Sequence, residues 1–203
     1  MNPETTRCDA EEERGGATSD DAELILAWRD GSQQAGDLLI SRHFAAIYRF
    51  FANKVREEAT DLAQCTFARL IEHVDELQNL ASFRAYLFTI ARNLLHTHLR
   101  TRSRHPAIFD PLSTSMAAIA TSPSQAIARG AAMSVLREAM HKLTLEEFEI
   151  IELHYWEGLT LREMAQVMGI PLGTMKSRMA RAMMMLRANM DEVQRTRKST
   201  RLA

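Results

Sequence analysis

Thr174, Lys176, Ser177, Arg178 and Arg181 lie close together near the C-terminus, between apolar positions spaced three or four apart. That spacing puts them on the outward side of one helix. Their chemistry is contact rather than bond-making. Lysine and arginine neutralise phosphates, and short polar side chains at a helix start can reach base edges in the major groove. A second basic stretch, Arg84 to Pro106, holds five arginines and no acid, and Gly173 to the end holds eight bases against two acids. Met1 to Asp30 is the reverse, with nine acids against three bases, so a net charge of −1 conceals two basic patches. Polyanion contact competes with simple solvated charge for the basic stretches; for the acidic start, solvated surface is the simpler reading.

Nothing comparable supports catalysis. No phosphate-binding glycine loop and no His-Glu zinc helix occurs. His96 and His98 are two apart and do not share a helix face, which makes them a poor metal pair. His154 reads as a packing or surface residue. Cys8 and Cys65 form no disulfide framework, and Cys65, on an amphipathic helix, reads as a buried inert thiol. The 12 methionines read mostly as core filler, although Met183, Met184 and Met185 in series require at least one to be exposed. No cofactor, metal site or enzymatic activity is expected. No run of about eighteen apolar residues appears, and the start lacks a basic segment with an apolar core. Cytoplasmic location without membrane insertion is expected.

The elements that would position these residues are all helical. With 46% apolar and 25% charged residues over 203 positions, the chain can bury one core or two small ones. Residues 1–19 read as a flexible tail. Asp20 is placed to cap a first helix bearing Leu24, Ile25, Ala27 and Trp28, which Gly31 ends. A second pattern, about Ser32 to Val55, carries Leu38, Leu39, Phe44, Ile47, Tyr48 and Phe51. A third, about Glu57 to Val74, carries Leu62, Cys65, Phe67, Leu70 and Ile71. After a turn-like stretch, Asp75 to Ala81, a fourth starts at Ser82 and carries Phe83, Tyr86, Leu87, Ile90, Leu94 and Leu95. No period-two run of β-branched residues appears. The expected architecture is all-α, with two small helical domains, 20–102 and 124–190, joined by a flexible linker at 103–123. Pro106, Pro111 and Pro123 break that linker, which has room for one helical turn at Met116 to Ile119. A basic tail, 191–203, closes the chain.

In the second domain, Thr144 caps a helix through Phe148, Ile150, Ile151 and Leu153 that Gly158 ends. Thr160 and Glu163 then form a capping box, with Leu161, Met164, Ala165 and Met168 as the buried face. Gly169 ends that helix with positive φ, Ile170 plugs the core, and Pro171 is tolerated at the next start. Leu172, Met175, Met179, Ala182, Met183 and Leu186 line the inward side of the following helix. This is a helix-turn-helix, of the winged-helix-like size class, whose second helix begins with polar and basic residues. An ordinary helical hairpin with a basic face is the competing reading.

The same residues closely resemble the extracytoplasmic-function sigma factors of bacterial RNA polymerase. In the C-terminal block the resemblance runs through Leu143 to Leu153, Gly158-Leu159-Thr160, Glu163-Met164-Ala165, Met168 to Pro171, Gly173 to Arg178, and Arg181-Ala182 to Leu186-Arg187. It implies that Thr174, Lys176, Ser177, Arg178 and Arg181 read the upstream promoter element. Asp61 to Leu70 resembles the family's polymerase-docking helix and implies core-polymerase contact for Asp61, Gln64 and Phe67, although Leu62 and Phe67 also suit a domain core. Phe83 to Leu94 resembles the element that recognises and melts the downstream promoter. It implies DNA-facing roles for Arg84, Arg92, Asn93 and Arg100, while Phe83, Tyr86, Leu87 and Ile90 equally fit a packing stripe. A pocket for a flipped base would use the loop from Asp75 to Ala81.

The chain departs from the family in carrying Tyr86 where tryptophan is usual and His98 where an acid is common. Promoter preference and melting efficiency depend on these positions. The implied partners are core RNA polymerase and promoter DNA, and the family often has an anti-sigma factor. The alternative is a helix-turn-helix regulator that does not bind core polymerase; the Asp61 to Leu70 block argues against it.

Overall fold

The computed structural model describes residues 19–77, 80–102 and 123–200, and its described residues contain eight α-helices and no strand. Helix α1 (Ser19–Arg29) starts two residues earlier than a cap at Asp20 implies, so Asp20 lies in its first turn rather than at its cap. An acid there still suits the positive end of the helix dipole. Helix α2 (Gln33–Ala52) begins where the Ser32 hydroxyl accepts from the Ala35 N–H. The two helices cross closely: a Cβ at Gly36 would lie 2.7 Å from the Trp28 indole. Asp21, buried in α1, accepts from Arg42 at 2.5 Å and pairs with His43 at 2.9 Å, tying the helices together.

Helix α3 (Ala59–His73) packs on α2, with Phe67 stacked on Phe44 at 5.9 Å between ring centroids. Its inward residues are Ala59, Ala63, Thr66, Phe67 and Leu70. Cys65 and Ile71 fall on the opposite side and are exposed, as is Leu38 on α2. The expectation of a buried thiol is therefore corrected: three- and four-residue spacing from Leu62 was compatible with burial, but the neighbouring helices cover the other face. Two 3₁₀ turns, Val74–Glu76 and Leu80–Ser82, follow. Arg29 pins the first by donating to the Val74 and Leu77 carbonyls at 2.5–2.9 Å. Helix α4 (Phe83–Arg102) then contributes Phe83, Leu87, Phe88, Ala91 and Leu95 to the core.

The second unit begins with helix α5 (Pro123–His141); the turn expected at Met116 to Ile119 lies outside the described residues. Helix α6 (Leu145–Tyr155) starts at a capping box, in which the Thr144 hydroxyl accepts from the Glu147 N–H and the Glu147 carboxylate accepts from the Thr144 N–H. It ends at Tyr155, and Gly158, with φ of +63°, lies in the turn beyond it rather than at the helix end. Helix α7 (Leu161–Met168) repeats the capping arrangement with Thr160 and Glu163, and Gly169 closes it at φ +66°. Helix α8 runs from Leu172 to Thr200, so the stretch expected as a basic tail is helical through that residue. It packs along α5, α6 and α7. Helix α7 also packs on α4, and one continuous apolar core extends from Ile25 to Leu186.

Candidate nucleic-acid interface

The start of α8 is built by what precedes it. The capping box satisfies two orphan donors of α7 reciprocally, and the left-handed Gly169 turns the chain so that its N–H returns to the α7 carbonyls. Met175 and Ala182 are fully buried beneath α8, with Met179 and Leu186 nearly so. This anchoring turns Thr174, Lys176, Ser177 and Arg181 outward, where all four are exposed. Ser177 donates to the Gly173 carbonyl, as a hydroxyl inside a helix commonly does. Arg178 is half-buried and pairs with Glu146, and Arg181 lies 3.9 Å from Glu147. The two acids in the first turn of α6 thus hold two of the cations in line. The result is a basic ridge one helix wide, the shape a major groove admits.

The second set of predicted residues is not gathered on one open face. Asn93 and Arg100 are exposed on α4, and Arg100 donates to Thr97 at 3.2 Å. Arg84 and Arg92 instead point toward the C-terminal helices. Arg84 donates to the Glu157 carbonyl, and the Arg92 Nε lies 3.1 Å from the Glu149 carboxylate. A cleft of about 350 Å³ is lined by Glu76, Leu77, Ser82, Ala85, Tyr86 and Thr89 of the first unit and Gln166 of α7. Burial and the nearby Glu76 charge raise the Tyr86 hydroxyl above its ordinary pKa. Tyr86 is thus a neutral, partly open ring at the cleft wall.

On α3, Asp61 and Gln64 are exposed side by side with Cys65 and Ala68. Phe67 is only 5% exposed and stacks on Phe44, so its part in any contact made by this helix is to set the position of the outer face.

The comparisons with known proteins fall on the same two parts of the chain. Residues 39–105 match the family described as Sigma-70 region 2, and residues 133–186 match Sigma-70, region 4. The ECF RNA polymerase sigma factor EcfG of Rhodopseudomonas palustris is 30% identical over 126 residues, covering 62% of this chain and 67% of that relative. The chain belongs to the extracytoplasmic-function sigma factors. The ECF RNA polymerase sigma factor BldN of Streptomyces coelicolor is 27% identical to this sigma factor over 175 residues, which are 83% of the chain and 66% of that relative's length. Among solved structures, the sigma factor RpoE in complex with the anti-sigma factor NepR from Bartonella quintana superposes with a TM-score of 0.58 at 24% identity, over 78% of this chain and 93% of that one. This last likeness supports the all-helical fold.

Sequence reasoning passed over a group of residues in this sigma factor that the tertiary structure brings together. Glu149, Glu152 and Glu157 are 0–3% exposed. Lys54, also buried, pairs with Glu152, to which Asn53 donates at 2.7 Å. Arg49 donates to Glu157 at 2.8 Å, and His96 meets Glu149 at 3.0 Å. Their partners lie 53 to 108 residues away along the chain, and no local pattern signals the pairings.

Proposed function

We propose that this sigma factor recruits core RNA polymerase through the outer face of α3 and reads promoter DNA at two places. Asp61 and Gln64 meet the polymerase, with Phe67 holding them from beneath. Thr174, Lys176, Ser177, Arg178 and Arg181 contact the upstream element; Arg84, Arg92, Asn93 and Arg100 serve the downstream one. The working units are 20–102 and 124–190, with 103–123 as the connection between them. Residues 191–200 extend the second unit as helix. Nucleotide addition belongs to the polymerase, and this chain contributes binding energy alone. No described helix is long and apolar enough to cross a membrane, and the proposed partners place the chain in the cytoplasm. An anti-sigma partner fits the family.

The observation that carries this reading is the exposed basic ridge of α8, seated on a doubly anchored turn, in the same chain as an exposed Asp61–Gln64 face. The decisive experiment is transcription by the host's purified core polymerase over a promoter library, with and without the chain. Directed initiation at a subset of promoters is expected. On a selected promoter, Arg178→Ala should lose about tenfold in affinity, and Lys176→Ala should lower the slope of log affinity against log salt by about one. Initiation at no site would refute the proposal; duplex binding without any polymerase effect would favour a plain DNA-binding regulator.

A further inference from the structure

We propose that Arg29 is a positioning residue for downstream promoter recognition: from α1 it fixes the backbone of the turn after α3, and with it part of the cleft that Tyr86 lines. This rests on the reading of α4 and the loop before it as the downstream reader. Arg29 precedes residue 39, where the region 2 match begins, and none of the roles proposed above uses it. Its side chain is half-buried and reaches 45 and 48 residues along the chain. The Arg29 Nε and Nη2 both donate to the Val74 carbonyl, at 2.9 and 2.5 Å, and Nη2 also donates to the Leu77 carbonyl at 2.5 Å.

Val74 caps the end of α3, and Leu77 caps the 3₁₀ turn that follows. Carbonyls at a helix C-terminus lack intrahelical donors and lie at the negative end of the dipole, so a cation that donates to them is doubly suited. The turn closes weakly by itself: the Leu77 N–H reaches the Val74 oxygen at 3.4 Å, longer than an ordinary N–H···O bond. The guanidinium spans both ends of the turn with shorter, charge-assisted bonds, and its rigid fork fixes their spacing. Helix α1 is a firm base for this. It packs on both 3₁₀ turns and is tied to α2 through Asp21. Glu76 and Leu77, within the span that Arg29 holds, line the same cleft as Ser82, Tyr86 and Thr89. A shift of the turn therefore changes the width of the cleft. An aromatic ring stacks an unpaired base well only over a narrow range of separations. Arg29 serves this without meeting DNA, since its Nε and Nη2 are committed to main-chain carbonyls.

The test uses the full chain bound to the host's core polymerase. The probe is a fluorescein-labelled single-stranded oligodeoxynucleotide carrying the downstream element of a promoter selected from the library. A matching set replaces one base at a time by an abasic site, and anisotropy measures binding. The wild type should lose about tenfold in affinity at one position. Arg29→Ala should bind the intact probe about tenfold less well and lose its response at that position alone. It should keep the wild-type slope of log affinity against log salt, because no phosphate contact is removed. Arg29→Lys, which retains the charge and one donor, should fall between the two. Circular dichroism checks that R29A is folded, and R29K carries the test if it is not. A uniform loss with an unchanged abasic profile would overturn the proposal. So would unchanged affinity, or a salt slope lowered by about one, the mark of a direct phosphate contact. A wild-type profile flat at every position would instead refute the downstream reading, and this proposal with it.

Discussion

Phe67 and Asp61 stand six residues apart on α3 and do different work. Asp61 is exposed, so Asp61→Ala should lower core-polymerase affinity while leaving the unfolding free energy within about 0.5 kcal/mol of the original. Phe67 is packed on Phe44, so Phe67→Ala should cost about 3–5 kcal/mol of stability, read by chemical denaturation. Equal effects on stability would remove the distinction between an outer contact face and an inner support. His43 supplies a second prediction at this scale. Burial holds it below its ordinary value of 6.5, outweighing the pull of Asp21 beside it. The folded state therefore resists a proton that the unfolded chain accepts. Stability should fall as pH drops below about 6.5 toward the lowered folded value. Thermal melts from about pH 7.5 to 5.5 should show a steeper loss in the wild type than in His43→Asn; parallel slopes would rule out this contribution.

At the scale of elements, short-range chemistry decides where helices begin and end. The boxes at Thr144 and Thr160 each place a hydroxyl and a carboxylate three residues apart, and both are formed. Thr160→Ala should cost about 1 kcal/mol in a denaturation experiment, with a smaller loss of DNA affinity than Arg178→Ala. An unchanged midpoint would mean that packing alone starts α7. These boundaries were legible because cap and partner are neighbours in the chain. The extension of α8 to Thr200 was not. Its last turns are polar in sequence, and they are held by distant groups: Arg197 reaches Ser134 and Glu138 on α5, and Asn189 donates to the Ala139 carbonyl. The outward turn of Cys65 and Ile71 has the same kind of origin. Periodicity identifies a stripe on α3, but α2 and α4 choose which edge of it is covered.

At the scale of the whole molecule, the buried Lys54–Glu152 pair joins the two helical units. The Lys54 ammonium lies 2.7 Å from the Phe50 carbonyl and 3.7 Å from the Phe50 ring centre, besides its contact with Glu152. Removing one partner strands a charge, so Lys54→Met should cost about 3–5 kcal/mol, and K54M/E152M should recover most of that loss. A double-mutant cycle by denaturation measures this; additive losses would mean that the pair is not coupled and that the units meet mainly through apolar contact.

The helical class, the capped helix-turn-helix and the basic ridge from Thr174 to Arg181 were determined by the sequence alone. Each depends on residues three or four apart, and helix geometry converts that spacing directly into a face. The family resemblance in the two blocks likewise needed only contiguous residues. The tertiary structure alone decided the fate of Arg84 and Arg92, and of the three glutamates that meet their side of the molecule. A glutamate or arginine on a helix reads as solvated until another element covers it, and the covering element here lies 53 or more residues away. Pairing across that distance is set by how the two units pack, which no local spacing encodes.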